Sequence, residues 1–212
     1  MNITNLTRWS AGSLIGAGIA SAALWLSTPP IKTFVGAEVS LDPLFTPSQF
    51  VHVLGALLTM FGYIGLYLSQ RREIGWLGFI GFILAFVGAV FFLSDGIIAL
   101  VVFPAVARAS PALLEATGAL FTGRALAAYI VFAATNTIGI VVFGVATWRA
   151  AIYPRVAALL FIVGGIMFNL PPGAIPHLVL VLGGVIWGMG AVWLGYSLWA
   201  RAGDWTPGEA GS

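Results

Sequence analysis

The chain has no cysteine, only two histidines and very little charge. Each shortage closes off chemistry. Without cysteine there is no disulfide, no thiol nucleophile, no thiolate metal site and no cysteine-ligated iron–sulfur cluster. Two histidines give neither an HExxH pair nor a three-histidine metal site. Charged residues make up 8% of the 212 positions, against 60% hydrophobic ones, and mean hydropathy is +1.03. A water-soluble domain cannot cover its surface with so few charges. No P-loop, GxGxxG turn or GxSxG elbow is present, and no basic cluster suits a nucleic acid.

What is present is a series of long apolar runs. About 20 apolar residues carry a helix across roughly 30 Å of hydrocarbon. The runs are continuous and lack the period-two alternation of barrel strands. They predict an all-α, polytopic six-transmembrane-helix bundle, with spans near 9–28, 50–69, 74–94, 124–147, 155–170 and 177–200. Residues 1–202 then form one membrane domain, and 203–212 a polar, disordered tail. Ala20-Ser21-Ala22 resembles a signal-peptide cleavage site, but apolar sequence continues through Leu24-Trp25-Leu26, so a retained helix is expected. After Asp95 the third run resumes as Gly96–Phe103, either as more helix or as an interfacial piece.

Charge sets the orientation. Arg8, Arg71, Arg72, Arg149, Arg155 and Arg201 fall on one side of the predicted spans, and Lys32, Arg108 and Arg124 on the other. The positive-inside rule assigns the six-arginine side, and both termini, to the cytoplasm. Trp9, Trp76, Trp148, Trp199 and Tyr153 are expected at that inner interface as an aromatic belt. Inner connections are short: Arg71-Arg72-Glu73 and Ala150–Pro154. Outer ones are longer: a proline-bearing stretch from Pro29 to Gln49, and a second in which Ser110-Pro111 suits the start of a short interfacial helix over Ser110–Leu120. Pro171–Pro176 reads as a rigid turn. GxxxG spacings at Gly12–Gly16 and Gly184–Gly188 predict close packing within one bundle, ahead of a dimer face.

Ionisable groups inside a membrane are costly and tend to be functional. At about 1.5 Å per residue, His52, Asp95, Arg124 and His177 all lie about 27–36 Å from the inner ends of their helices, with Asn169 somewhat deeper. In the plainer reading these residues only end their helices at the headgroup level. In the sharper one they converge, point inward and line an outer-leaflet polar cavity, with Asp95 and Arg124 paired and Arg124 ready for an anionic head. Asn136, in Thr135-Asn136-Thr137, lies near mid-membrane, where its amide needs a partner within the bundle.

The build, closing on GGVIWGMGAVWLGYSLWAR, loosely resembles multi-pass integral membrane proteins of bacterial genomes. That resemblance implies a bacterial cytoplasmic membrane and transfers no functional residue. The expected function is non-enzymatic: binding a lipid-like or small amphipathic ligand through His52, Asp95, Arg124, Asn136, Asn169 and His177, or serving other membrane subunits or a homo-oligomer as an accessory. No cofactor is expected on this reading. The alternative is a membrane oxidoreductase holding haem or a divalent metal on His52 and His177. A small transporter is a further alternative and needs a polar path through Asn136.

Overall fold

The computed structural model describes residues 3–27, 36–115, 117–170 and 175–202. The described residues are almost all helical. With no water in hydrocarbon, a chain this apolar must satisfy its backbone groups within each segment, and the helix does so. The helices are α1 (Ile3–Ser27), α2 (Ala37–Leu41), α3 (Phe45–Val101), α4 (Phe103–Ala109), α5 (Gly123–Ala150), α6 (Arg155–Phe168) and α7 (His177–Arg201). Four of them, α1, α3, α5 and α7, are long and apolar enough to cross a membrane; α6, with 14 residues, is shorter.

The 57 residues of α3 are two helices rather than one. Gly75 has φ 53° and ψ −153°, a conformation essentially restricted to glycine, and the chain reverses there. Tyr67 stacks on Phe82 with ring centroids 4.5 Å apart, and the His52 ring lies 5.9 Å from Phe92. In a straight helix His52 and Phe92 would be about 60 Å apart. The arms, 45–74 and 76–101, therefore run antiparallel. The sequence suggests a turn at Arg71-Arg72-Glu73; the structure keeps those residues helical and turns at the glycine.

Other boundaries move as well. The first arm starts at Phe45, with Pro47 in its first turn, where a missing N–H costs nothing. The second arm runs unbroken past Asp95 to Val101, so Gly96 and its neighbours continue the helix. The interfacial helix expected over Ser110–Leu120 is replaced by two 3-10 turns, Pro111–Leu114 and Ala119–Phe121, and the Ser110 side chain caps neither. The turn between α5 and α6 falls at 151–154, as the sequence suggests. The tail, and most of the Pro171–Pro176 turn, lie outside the described residues.

α1 packs between α7 and the first arm of α3, the second arm of α3 packs on α5, and α6 packs on α5 and α7. α1 and α7 cross at Gly18 and Gly188, where a Cβ on either residue would collide with the other's carbonyl oxygen. Ser21 Oγ donates to the Gly184 carbonyl at 3.0 Å beside this crossing. The GxxxG spacings thus serve contacts within the chain. At the centre, Tyr63 meets Phe143 and Phe161 edge to face, each at 5.9 Å, with Leu14, Leu194 and Leu198 buried in the same core. Large apolar side chains such as Leu159 and Val163 on α6 and Trp193 on α7 face outward, as lipid contact requires.

Candidate functional site

A half-open cavity of about 120 Å³ lies between the helices. Ser21 and Trp25 of α1 line it, with His52, Thr59 and Tyr63 from the first arm of α3, Phe92 from the second, and Asn136, Phe168 and Trp187 from α5, α6 and α7. Its size is that of a single ring: apolar protein cavities of this order take up benzene. Small residues make the space, notably Ala17, Ala20, Gly55, Ala56 and Ala89, where helices pass close together without filling the gap between them.

Helix geometry places the polar groups. His52 is two turns into the first arm; its Nδ1 donates to Gln49 Oε1 at 3.3 Å, one turn back. Its ring packs over Gly96 and against Phe92. Asn136 is buried between α5 and Gly88 of α3, whose missing side chain makes room for the amide. Asn136 Nδ2 donates to Asn169 Oδ1 at 3.2 Å, and Asn169 Nδ2 donates to the Gly165 carbonyl at 2.7 Å. The mid-helix amide thus finds its partner across helices. Thr135 and Thr137 donate to carbonyls one turn back and stay out of the cavity.

Of the six residues singled out from the sequence, His52 and Asn136 line the cavity, and Asn169 supports it through Asn136. The other three stand apart. Arg124, in the first turn of α5, is exposed rather than turned inward. Asp95 is half-buried, with Tyr129 of α5 in electrostatic range, and makes no ion pair with Arg124. Matching depth on two helices does not bring their tips together when one points outward. His177, at the start of α7, is part-buried and does not line the cavity that His52 lines. Among the described residues no group of three or more His, Asp or Glu side chains is gathered to hold a metal, so no zinc set forms from His52, His177 and Asp95.

Several polar residues were not singled out. Tyr63 lies 11 residues, about 16 Å, deeper than His52 on the same arm. The depth argument that picked out Asn136 applies equally to it. Trp187 sits mid-helix in α7, where an indole N–H lacks the interfacial water that a belt tryptophan uses. At the arginine-bearing end, Gln70 is fully buried, and Tyr153 is buried rather than standing in a belt. Tyr153 donates to Ser69 Oγ at 2.7 Å, with the Arg201 guanidinium 5.8 Å over its ring.

No family model, curated protein or solved structure matches the chain.

Proposed function

We propose that this chain is a non-enzymatic, multi-pass protein of a bacterial cytoplasmic membrane that binds a small amphipathic ligand in the cavity between its helices. One observation carries the reading: a ring-sized space is held open at the junction of all the long helices, with His52 and Asn136 on a wall that is otherwise mostly apolar. A well-formed apolar pocket with a few convergent polar groups is the usual form of a small-molecule site. The volume narrows the expectation from the sequence, because a whole lipid does not fit in about 120 Å³; a small molecule or the ring of a larger one does. In this reading the two arms of α3 count as separate spans. Together with α1, α5, α6 and α7 they give six, with both termini on the arginine-rich cytoplasmic side.

Native mass spectrometry of the protein released from lipid nanodiscs tests the proposal. The expected result is a small-molecule adduct on the native chain that Ala56→Leu, which fills the cavity, abolishes. An adduct that persists in the filled variant, or a bare mass for both proteins, would overturn it.

A further inference from the structure

The wall of the cavity keeps most of its donors for the protein itself. Ser21 Oγ donates to the Gly184 carbonyl at 3.0 Å, and Thr59 Oγ1 to the Gly55 carbonyl at 2.8 Å. Asn136 Nδ2 is held by Asn169 Oδ1. The Trp187 indole N–H is closed off beside the Tyr63 hydroxyl. His52 spends its Nδ1–H on Gln49 Oε1 at 3.3 Å. A neutral imidazole with its proton on Nδ1 has a bare lone pair on Nε2. That nitrogen accepts from no described side chain, and packing does not seal it off. Asn136 Oδ1 is a further acceptor, but it lies tight against Gly88.

Rings surround the His52 end of the cavity. Phe92 lies 5.9 Å from the His52 ring, Phe168 6.0 Å from Phe92, and Trp25 6.4 Å from Phe168. Together they form an aromatic collar. Ala56 and Ala89, about one turn deeper than His52 and Phe92, leave the space open beneath it. Aromatic faces of this kind suit a flat ring. No Lys, Arg, Asp or Glu lines the cavity, so it offers an ion no countercharge. The wall therefore calls for a neutral, flat ring that carries a hydrogen-bond donor.

Resting on the cavity reading above, we propose that the ligand is a neutral phenol whose ring lies in the collar and whose hydroxyl donates to His52 Nε2. A phenol keeps its proton up to about pH 10 and is uncharged at neutrality. Gln49 is then a positioning residue, because its oxygen holds the tautomer that leaves Nε2 bare.

The isomers 4-methylphenol and anisole test this. They share a ring and a composition, but the methyl group on the anisole oxygen removes the donor. Binding is measured by thermal shift on the full chain in nanodiscs, with Ala56→Leu as the filled-cavity control for partition into lipid. The native chain should prefer 4-methylphenol by about fivefold to tenfold, the factor given by one net hydrogen bond. The side-chain ¹⁵N resonance of His52 Nε2 should move upfield with 4-methylphenol and stay in place with anisole. The chain has two histidines, so loss of that resonance in His52→Phe assigns it. His52→Phe should bring the two affinities together. Gln49→Leu, outside the cavity wall, should narrow the preference and guards against a packing defect in the phenylalanine variant. Equal affinity of the native chain for the two isomers would overturn the phenol assignment and leave the cavity reading standing. A full preference in both variants would overturn the role of His52. Failure of both isomers to bind the native chain would overturn both readings.

Discussion

Gln70 Nε2 donates to Thr147 Oγ1 at 2.8 Å, tying the first arm of α3 to α5 through two wholly buried side chains. The other end of the same amide, Gln70 Oε1, is buried with no hydrogen-bond partner. The two halves of this side chain therefore predict opposite responses. Thr147→Val keeps the shape but leaves Nε2 without its acceptor, and should destabilise the fold by about 1–2 kcal/mol. Gln70→Met removes the unsatisfied oxygen and the donor together, and should lie within about 1 kcal/mol of the native chain or above it. Reversible unfolding in mixed micelles measures both. A methionine variant as costly as the valine one would show that the amide contributes more than this single bond.

Gly75 is the point on which the α3 hairpin turns. A Cβ there would meet nothing within 4 Å, so any penalty is purely a backbone one. Gly75→Ala should cost about 1–3 kcal/mol, read as a lower melting temperature in nanodiscs. An unchanged melt would mean that the turn tolerates an ordinary L-residue and that its geometry is not what fixes the hairpin.

Tyr153, in the turn between α5 and α6, should give the stability a pH dependence. Burial pushes its phenol above the usual value near 10, with the Arg201 cation opposing in part. A group whose pKa is raised on folding contributes stability that is intact below its unfolded value and lost as pH rises through the folded one. Melting temperature should therefore hold up to about pH 10 and fall beyond it. Tyr153→Phe should melt lower near neutrality, for want of the bond to Ser69, and fall less steeply above pH 10. Parallel alkaline limbs for the two proteins would assign the titration to other groups.

Orientation can be read with reporter fusions. Fusions after Arg72 and after Arg201 should report the cytoplasm, and one after Asp42 the external side. A fusion after Arg201 that reports the external side would remove both the even number of spans and the shared location of the termini.

Much of the helix layout is legible in the sequence because it follows from one force. Apolar runs of this length have a single low-cost conformation in hydrocarbon, so their existence and approximate ends can be counted directly. The turn at Gly75 is harder to see, because charged Arg71-Arg72-Glu73 reads as a loop while a lone glycine does not. In the site, depth is legible and azimuth is not. His52 and Asp95 are correctly level along the two arms of α3, since Gly96 packs on His52. Which way each side chain points depends on how the helices are rotated about their axes. That rotation is set by small-residue contacts such as Gly88 with Asn136 and Gly18 with Gly188. The hydrophobic pattern, nearly uniform around each helix, gives no sign of it. This is why depth alone turns Arg124 inward, whereas the structure leaves it exposed.

The shortness of α6 bears on the lipids around it. Fourteen residues rise about 21 Å, some 9 Å less than a typical hydrocarbon layer. Val156, Leu159 and Val163 nonetheless face outward along it. Taken as one of the six proposed spans, α6 leaves the protein and the bilayer mismatched in height on that flank. As a span it would make the neighbouring leaflet pinch inward, or draw headgroups and water down towards Asn169 at the helix end. Either adjustment brings the aqueous boundary closer to the Asn136–Asn169 pair than it would be beside a full-length helix. Shorter-chain lipids should gather at α6, and bilayer thickness becomes a variable to which this side of the cavity is mechanically exposed.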